Sequence, residues 1–238
     1  MTKETRIFRT IGLKEERIKR ALEDITKWGK AVSIGLKSTG FGVDIELVVS
    51  SDNEAVASSL TKSACENIKK RLGDSIYGAS FDETLEKVVG YILYLKKLTL
   101  AIAESCTGGF ASSLITNVSG ASCYFKGGII AYANCIKVDM LGVLNKTIER
   151  YGSVSKKTAE EMAIGARRVF NVDLGLSITG IAGPTGGSQE KPIGLVYIGL
   201  ARQDETIVKD FLFSGEREQI KEQASYYALD LVRRTLIK

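Results

Sequence analysis

The stretch AESCTGG, Ala103 to Gly109, sets Ser105 and Cys106 side by side ahead of a glycine pair, where an apolar run gives way to a helical pattern. Either side chain attacks an electrophilic carbon once a base takes its proton. The chain contains no histidine, which removes the Ser-His-Asp and Cys-His arrangements and leaves lysine or tyrosine as the base. Lysine serves when burial or a cationic neighbour brings its pKa toward neutrality. The segment GGIIAYANCIK supplies both kinds, Tyr132 at the end of a strand and Lys137 in the first turn of a short helix. The helix macrodipole disfavours a lysine there and would depress its pKa. On residue type alone the plainer readings stand beside these: Ser105 as an N-cap, Tyr132 as amphipathic packing and Lys137 as a solvated charge.

Two loops carry the unusual composition. After Ser105, the amides of Thr107, Gly108 and Gly109 read as a helix N-terminus suited to an oxyanion. The second loop, TGIAGPTGGSQEKP from Thr179 to Pro192, holds Gly180, Gly183, Gly186, Gly187 and both prolines of the chain. Glycines let a backbone approach a ligand closely and prolines stiffen the ends, although such loops are also ordinary turns. Neither loop contains a P-loop, and the glycine spacing is a weak match to any dinucleotide fingerprint. The tetrad SVSK, Ser153 to Lys156, has the Ser-x-x-Lys spacing of penicillin-binding enzymes. It lacks their companion S-D-N and K-T-G elements, and Ser155 is better read as a helix cap.

These loops need a scaffold. An apolar strand over LTLAIA precedes Ser105, and further strands read over GGIIAY, DLGLSIT, LVYIGLA and TIVKDFLF. Helices read at about 82–96, after SCTGG, at 134–141, at 155–170 and from Glu216. This alternation predicts a three-layer α/β/α domain with a mixed sheet, and the short RQDE link makes its last two strands an antiparallel pair. Ligands of such sheets bind beyond the carboxyl ends of the strands. Upstream, a helix over 14–28, two strands across Thr39-Gly40 and a helix capped by Asp52 that runs to about Leu72 predict a small α+β unit of α-β-β-α order. The expected domains are 1–78 and 79–238.

The chain of 238 residues carries 33 basic and 28 acidic residues, a net charge of +5 spread along its length. A nucleic-acid footprint would be a concentrated basic face, so nucleic acid is not an expected partner. No window approaches the roughly 18 apolar residues of a membrane span, and the reading is a soluble cytoplasmic protein. Without histidine or paired thiols, zinc catalysis is not expected, nor is any metal or cofactor.

At these residues the sequence resembles the competence/damage-inducible protein CinA family, specifically its C-terminal nicotinamide-nucleotide amidase domain. The stretches are AESCTGG, GASCYFKGGIIAYANCIKVDMLGV, YGSVSKKTAEEMAIGAR, SITGIAGPTGGSQEKPIGLVYIGLA and FSGERE, which cover about Leu98 to Leu236. The resemblance implies hydrolysis of nicotinamide mononucleotide to nicotinic acid mononucleotide and ammonia. It implies Ser105 as nucleophile, Lys137 as proton acceptor, Tyr132 as relay or orienting group, and a metal-free acyl-enzyme with Thr107, Gly108 and Gly109 around the oxyanion. Thr179, Gly180, Gly183 and Arg217 are then the expected cradle for the ribosyl phosphate.

Residues 1–78 resemble the family's KH-like linker domain. They lack the G-x-x-G loop of an RNA-binding KH domain, so a structural or dimerising role and a homo-oligomer are expected. The large domain that precedes this one in full-length members is not seen in the sequence, so its ADP-ribose pyrophosphatase activity is not expected. The competing reading is a non-enzymatic adaptor or nucleic-acid-binding module.

Overall fold

The structure, a computed structural model, describes residues 2–29 and 31–237. The chain divides into two compact units, one up to Leu85 and one from Glu86. The division falls later than residue 78 because Arg9 donates to the Glu83 carbonyl and the Ala79 amide to the Glu83 carboxylate, which ties 79–83 to the first unit.

The first unit is β1 (Thr2–Thr10), α1 (Glu15–Leu22), β2 (Val32–Ser38), β3 (Val43–Ser51), α2 (Glu54–Leu72) and β4 (Ile76–Gly78). Its sheet runs β2-β3-β1-β4, antiparallel throughout. The expected α-β-β-α order therefore lacked two strands, and β1 is internal to the sheet. Only Ile7 and Phe8 of β1 are apolar and buried; its identity comes from pairing with β3, where Phe8 faces Ile45. The first helix also ends early: α1 stops at Leu22 and a 3₁₀ turn follows at Ile25–Lys27. Ile18, Leu22 and Ile25 all stay buried across that break, so the apolar stripe continues after the helix has ended. The cap of α2 is Asn53 rather than Asp52; the Asn53 side chain accepts from the amides of Ala55 and Val56.

The second unit comprises α3 (Leu85–Lys96), β5 (Leu100–Glu104), α4 (Phe110–Thr116), β6 (Phe125–Ile130), α5 (Asn134–Leu141), α6 (Asn145–Tyr151), α7 (Lys156–Phe170), β7 (Leu174–Gly180), β8 (Leu195–Ala201), β9 (Thr206–Leu212) and α8 (Arg217–Leu236). The sheet order is β6-β5-β7-β8-β9, parallel among the first three strands and antiparallel at β8 and β9. This is the mixed sheet expected. Small residues let α7 lie close on one face: Ser177 donates to the Ala159 carbonyl at 2.6 Å, and a methyl group at Gly199 would meet the same carbonyl at 2.7 Å. The other face is covered by α8 and α4.

Helix α6 has no counterpart in the sequence reading. Its first turn is held from outside, because Glu161 on α7 accepts from the Leu144 amide and the Thr147 hydroxyl. Such a cap is invisible to local periodicity. Parallel pairing puts the carboxyl ends of β5, β6 and β7 at one end of the sheet, with Glu104 opposite Ile130 and Ile178. Everything chemically unusual in the sequence emerges there.

Candidate active site

Ser105 follows the last residue of β5. Its amide donates to the Ile178 carbonyl at 2.9 Å, and one strand over the Ala131 amide donates to the Glu104 carbonyl at 2.7 Å. The backbone on both sides of the serine is therefore extended sheet structure, and the Ser105 side chain starts from a fixed point. Lys137 reaches it from α5. Its Nζ lies 3.0 Å from Ser105 Oγ, 2.7 Å from the Ala131 carbonyl and 3.2 Å from the Tyr132 carbonyl.

Lys137 is 1% exposed and Ser105 8%. Burial is the main cause that pushes the Lys137 pKa below the ordinary lysine range, against smaller opposing effects of Cys106 and Cys135. A neutral lysine has two N–H groups and one lone pair. With both N–H groups on the two carbonyls, the lone pair is left for the proton of Ser105. The geometry is that of a nucleophile and its base.

Cys106 is buried beside them. Burial pushes its thiol up to about 12, so it carries little thiolate at neutral pH. The choice left open by the adjacent pair of residues falls to the serine.

The turn after Ser105 differs from the expected helix start. Helix α4 begins only at Phe110, with Gly109 as its N-cap in the left-handed region at φ 97°. The N-terminal donors are already occupied by the chain's own Glu104, which is 1% exposed. The Thr107 hydroxyl and the amides of Gly109 and Ala111 reach its Oε2, while the amide and hydroxyl of Ser112 reach Oε1, at 2.6–3.2 Å. The Gly108 amide closes a turn onto the Ser105 carbonyl. The expectation that all three amides serve an oxyanion is therefore corrected. Of these three amides only that of Thr107 has no acceptor among the described residues, because a carboxylate next to the nucleophile has claimed the helix end.

A cavity of about 460 Å³ opens beside Ser105 and Lys137. Tyr132, Gly180, Gly183 and Arg217 line it, as does Cys106. Arg217, at the start of α8, donates to the Tyr132 hydroxyl at 3.1 Å and to the Gly183 carbonyl at 2.7 Å. The Tyr132 oxygen thus accepts from a cation and keeps its own proton to donate. Thr179 is placed differently from the expected cradle. It is 1% exposed, its hydroxyl donates to the Ser153 carbonyl at 2.8 Å, and it does not line the cavity. Thr107, Gly108 and Gly109 also lie outside the lining.

Sequence reasoning missed Glu104, Val154 and Lys191, and met Ser153 only as the serine of the SVSK tetrad. For Glu104 a signal existed: it is the one charged residue in an otherwise apolar buried strand. Ser155 does cap α7, accepting from the Thr158 amide. Among the described residues no group of three or more His, Cys, Asp or Glu is placed to hold a metal ion, and no helix is long and apolar enough to cross a membrane.

Comparison with known proteins agrees along nearly the whole chain. Residues 82–236 match the family described as CinA C-terminal domain, and residues 5–78 match the damage-inducible protein CinA KH domain. A relative from Alkaliphilus metalliredigens, named for competence-damage induction, is 42% identical over 234 residues, 98% of this chain and 57% of its own length. A CinA-like protein from Kosmotoga olearia is 40% identical over 98% of this chain and 56% of its own. The chain thus spans little more than half the length of these curated relatives.

Among solved structures, the competence/damage inducible protein CihA from Agrobacterium tumefaciens aligns with a TM-score of 0.62 at 33% identity. That alignment covers 65% of this chain and 94% of that one. A competence or damage-inducible protein from Enterobacter asburiae gives 0.62 at 32%, over 64% and 96%. With both units matched in order and the Ser105–Lys137 pair seated in the second, the chain belongs to the CinA family.

Proposed function

We propose that the second unit is an amidase that hydrolyses the carboxamide of nicotinamide mononucleotide to nicotinic acid mononucleotide and ammonia. The observation that carries this reading is the buried Lys137 amine 3.0 Å from Ser105 Oγ, held by two carbonyls at the wall of a cavity large enough for a mononucleotide. Lys137 takes the Ser105 proton as Oγ bonds to the amide carbon, and the carbonyl oxygen becomes an oxyanion. The ammonium form of Lys137 is the acid for the departing ammonia, and the Tyr132 hydroxyl, polarised by Arg217, is a second donor to the leaving group. Water then attacks the acyl-serine with Lys137 again as base, releasing the carboxylate product.

The test is direct. Purified protein incubated with nicotinamide mononucleotide releases stoichiometric ammonia and nicotinic acid mononucleotide by mass spectrometry, and Ser105→Ala abolishes the release. Absence of ammonia from correctly folded wild-type protein would falsify the reading.

A further inference from the structure

Beyond the reacting end, the cavity has a second polar wall, made by Gly152, Ser153 and Val154 between α6 and α7 and by Lys191 and Ser188 of the loop between β7 and β8. Three consecutive carbonyls, of Tyr151 just behind this wall and of Gly152 and Ser153 in it, are taken up by the protein. Lys191 Nζ donates to Tyr151 at 2.6 Å, the hydroxyls of Ser155 and Thr158 to Gly152 at 3.1 and 2.8 Å, and the Thr179 hydroxyl to Ser153. The amides that follow are not: among the described residues those of Ser153 and Val154 donate to no acceptor.

A turn with three successive carbonyls taken and the two amides of Ser153 and Val154 left over is suited to an anion. The charges agree. No Asp or Glu lines the cavity, while Lys137, Lys191 and Arg217 do. Among the described residues Lys191 and Arg217 donate to two carbonyls and a phenol and to no carboxylate. A lysine with one N–H on a carbonyl has two more to give, whereas the donors of Arg217 on Gly183 and Tyr132 place it at the reacting side.

We propose that Lys191 and the backbone amides of Ser153 and Val154 form the site that holds a phosphate monoester. This deepens the amidase reading, on which it rests for the ligand being the phosphate of a pyridine nucleotide. It moves the anchor from Thr179, whose hydroxyl is tied behind the wall, to the wall itself.

Inorganic phosphate is the probe, titrated against the wild-type chain of 238 residues at constant ionic strength with chloride as the control. Phosphate raises the thermal midpoint saturably where chloride does not, and the ¹⁵N amide resonances of Ser153 and Val154 shift with the same midpoint. Lys191→Met weakens phosphate by roughly tenfold or more, and Lys191→Arg by at most a few-fold. In turnover, Lys191→Met lowers the ratio of kcat/KM for nicotinamide mononucleotide over nicotinamide riboside by a similar factor. If Lys191→Met does not fold, the two amide resonances in the wild type decide alone. Unmoved resonances, or phosphate titrations that coincide in wild type and Lys191→Met, overturn the site. Because the phosphate titration requires no catalysis, a protein that binds phosphate through Lys191 but releases no ammonia ends the amidase reading and leaves this site standing.

Discussion

The turn after Ser105 and the loop between β7 and β8 are both rich in glycine and both adjoin the cavity, yet they are held in opposite ways. The first is gathered around one buried carboxylate, Glu104, whose two oxygens collect donors from Thr107 through Ser112. The second is held at its rim by two cations, Lys191 on Tyr151 and Arg217 on Gly183. A buried carboxylate with every lone pair engaged resists displacement, because any rearrangement strands a desolvated charge. Lys191, on a single carbonyl, keeps spare donors and can turn them to an anionic ligand at little loss. The nucleophile is thus set rigidly, while the wall beyond it keeps donors free for what it binds.

The largest expected effects test the rigid half. Ser105→Ala removes turnover, a loss of about 10³-fold or more, with the urea midpoint little changed, while Cys106→Ala keeps kcat within a few-fold. The reverse outcome would make the thiol the nucleophile in spite of its raised pKa.

Next comes Lys137→Met, with a kcat loss of about 10²- to 10⁴-fold. Burial lowers the Lys137 pKa, so the folded state binds this proton less readily than the unfolded chain. The stabilisation linked to it is full above the ordinary lysine pKa and is lost as pH falls through the folded value. Wild-type activity should rise with pH on a limb below the ordinary lysine range, and urea midpoints should rise in the same sense. Lys137→Met should flatten that component of the stability profile, measured by denaturation across pH 5–10.

Glu104→Gln sharpens the comparison itself. It sets an amide NH₂ against backbone and hydroxyl donors, and we expect a loss of about 2–4 kcal/mol in urea unfolding. Arg217→Met should act on the adaptable half. It leaves the Tyr132 hydroxyl without its partner, so kcat falls roughly tenfold with KM less affected, and stability changes by less than about 1 kcal/mol, since the side chain is exposed. Equal stability losses for Glu104→Gln and Arg217→Met would dissolve the contrast between the two loops.

Much of this was legible locally. The alternation around β8 and β9, the run of β5 and the Ser155 cap each state their structure within a few residues. Strand β1 and helix α6 do not: one takes its identity from β3 and the other from Glu161 on α7. Thr179 shows the same limit at the site. A threonine at the end of a buried strand reads as a ligand or as packing with equal ease, and only its bond to Ser153 decides.

Composition alone determined that no histidine could serve as base, and motif order tied Ser105, Tyr132 and Lys137 to one end of one sheet. Only the tertiary structure decided that the glycine turn's donors belong to Glu104, that Lys137 is stripped of water and placed on two carbonyls, and that Ser153 and Val154 keep their amides unclaimed. The reason is that residue types and strand order are local properties of the chain, whereas desolvation and hydrogen-bond satisfaction are shared among segments far apart in sequence.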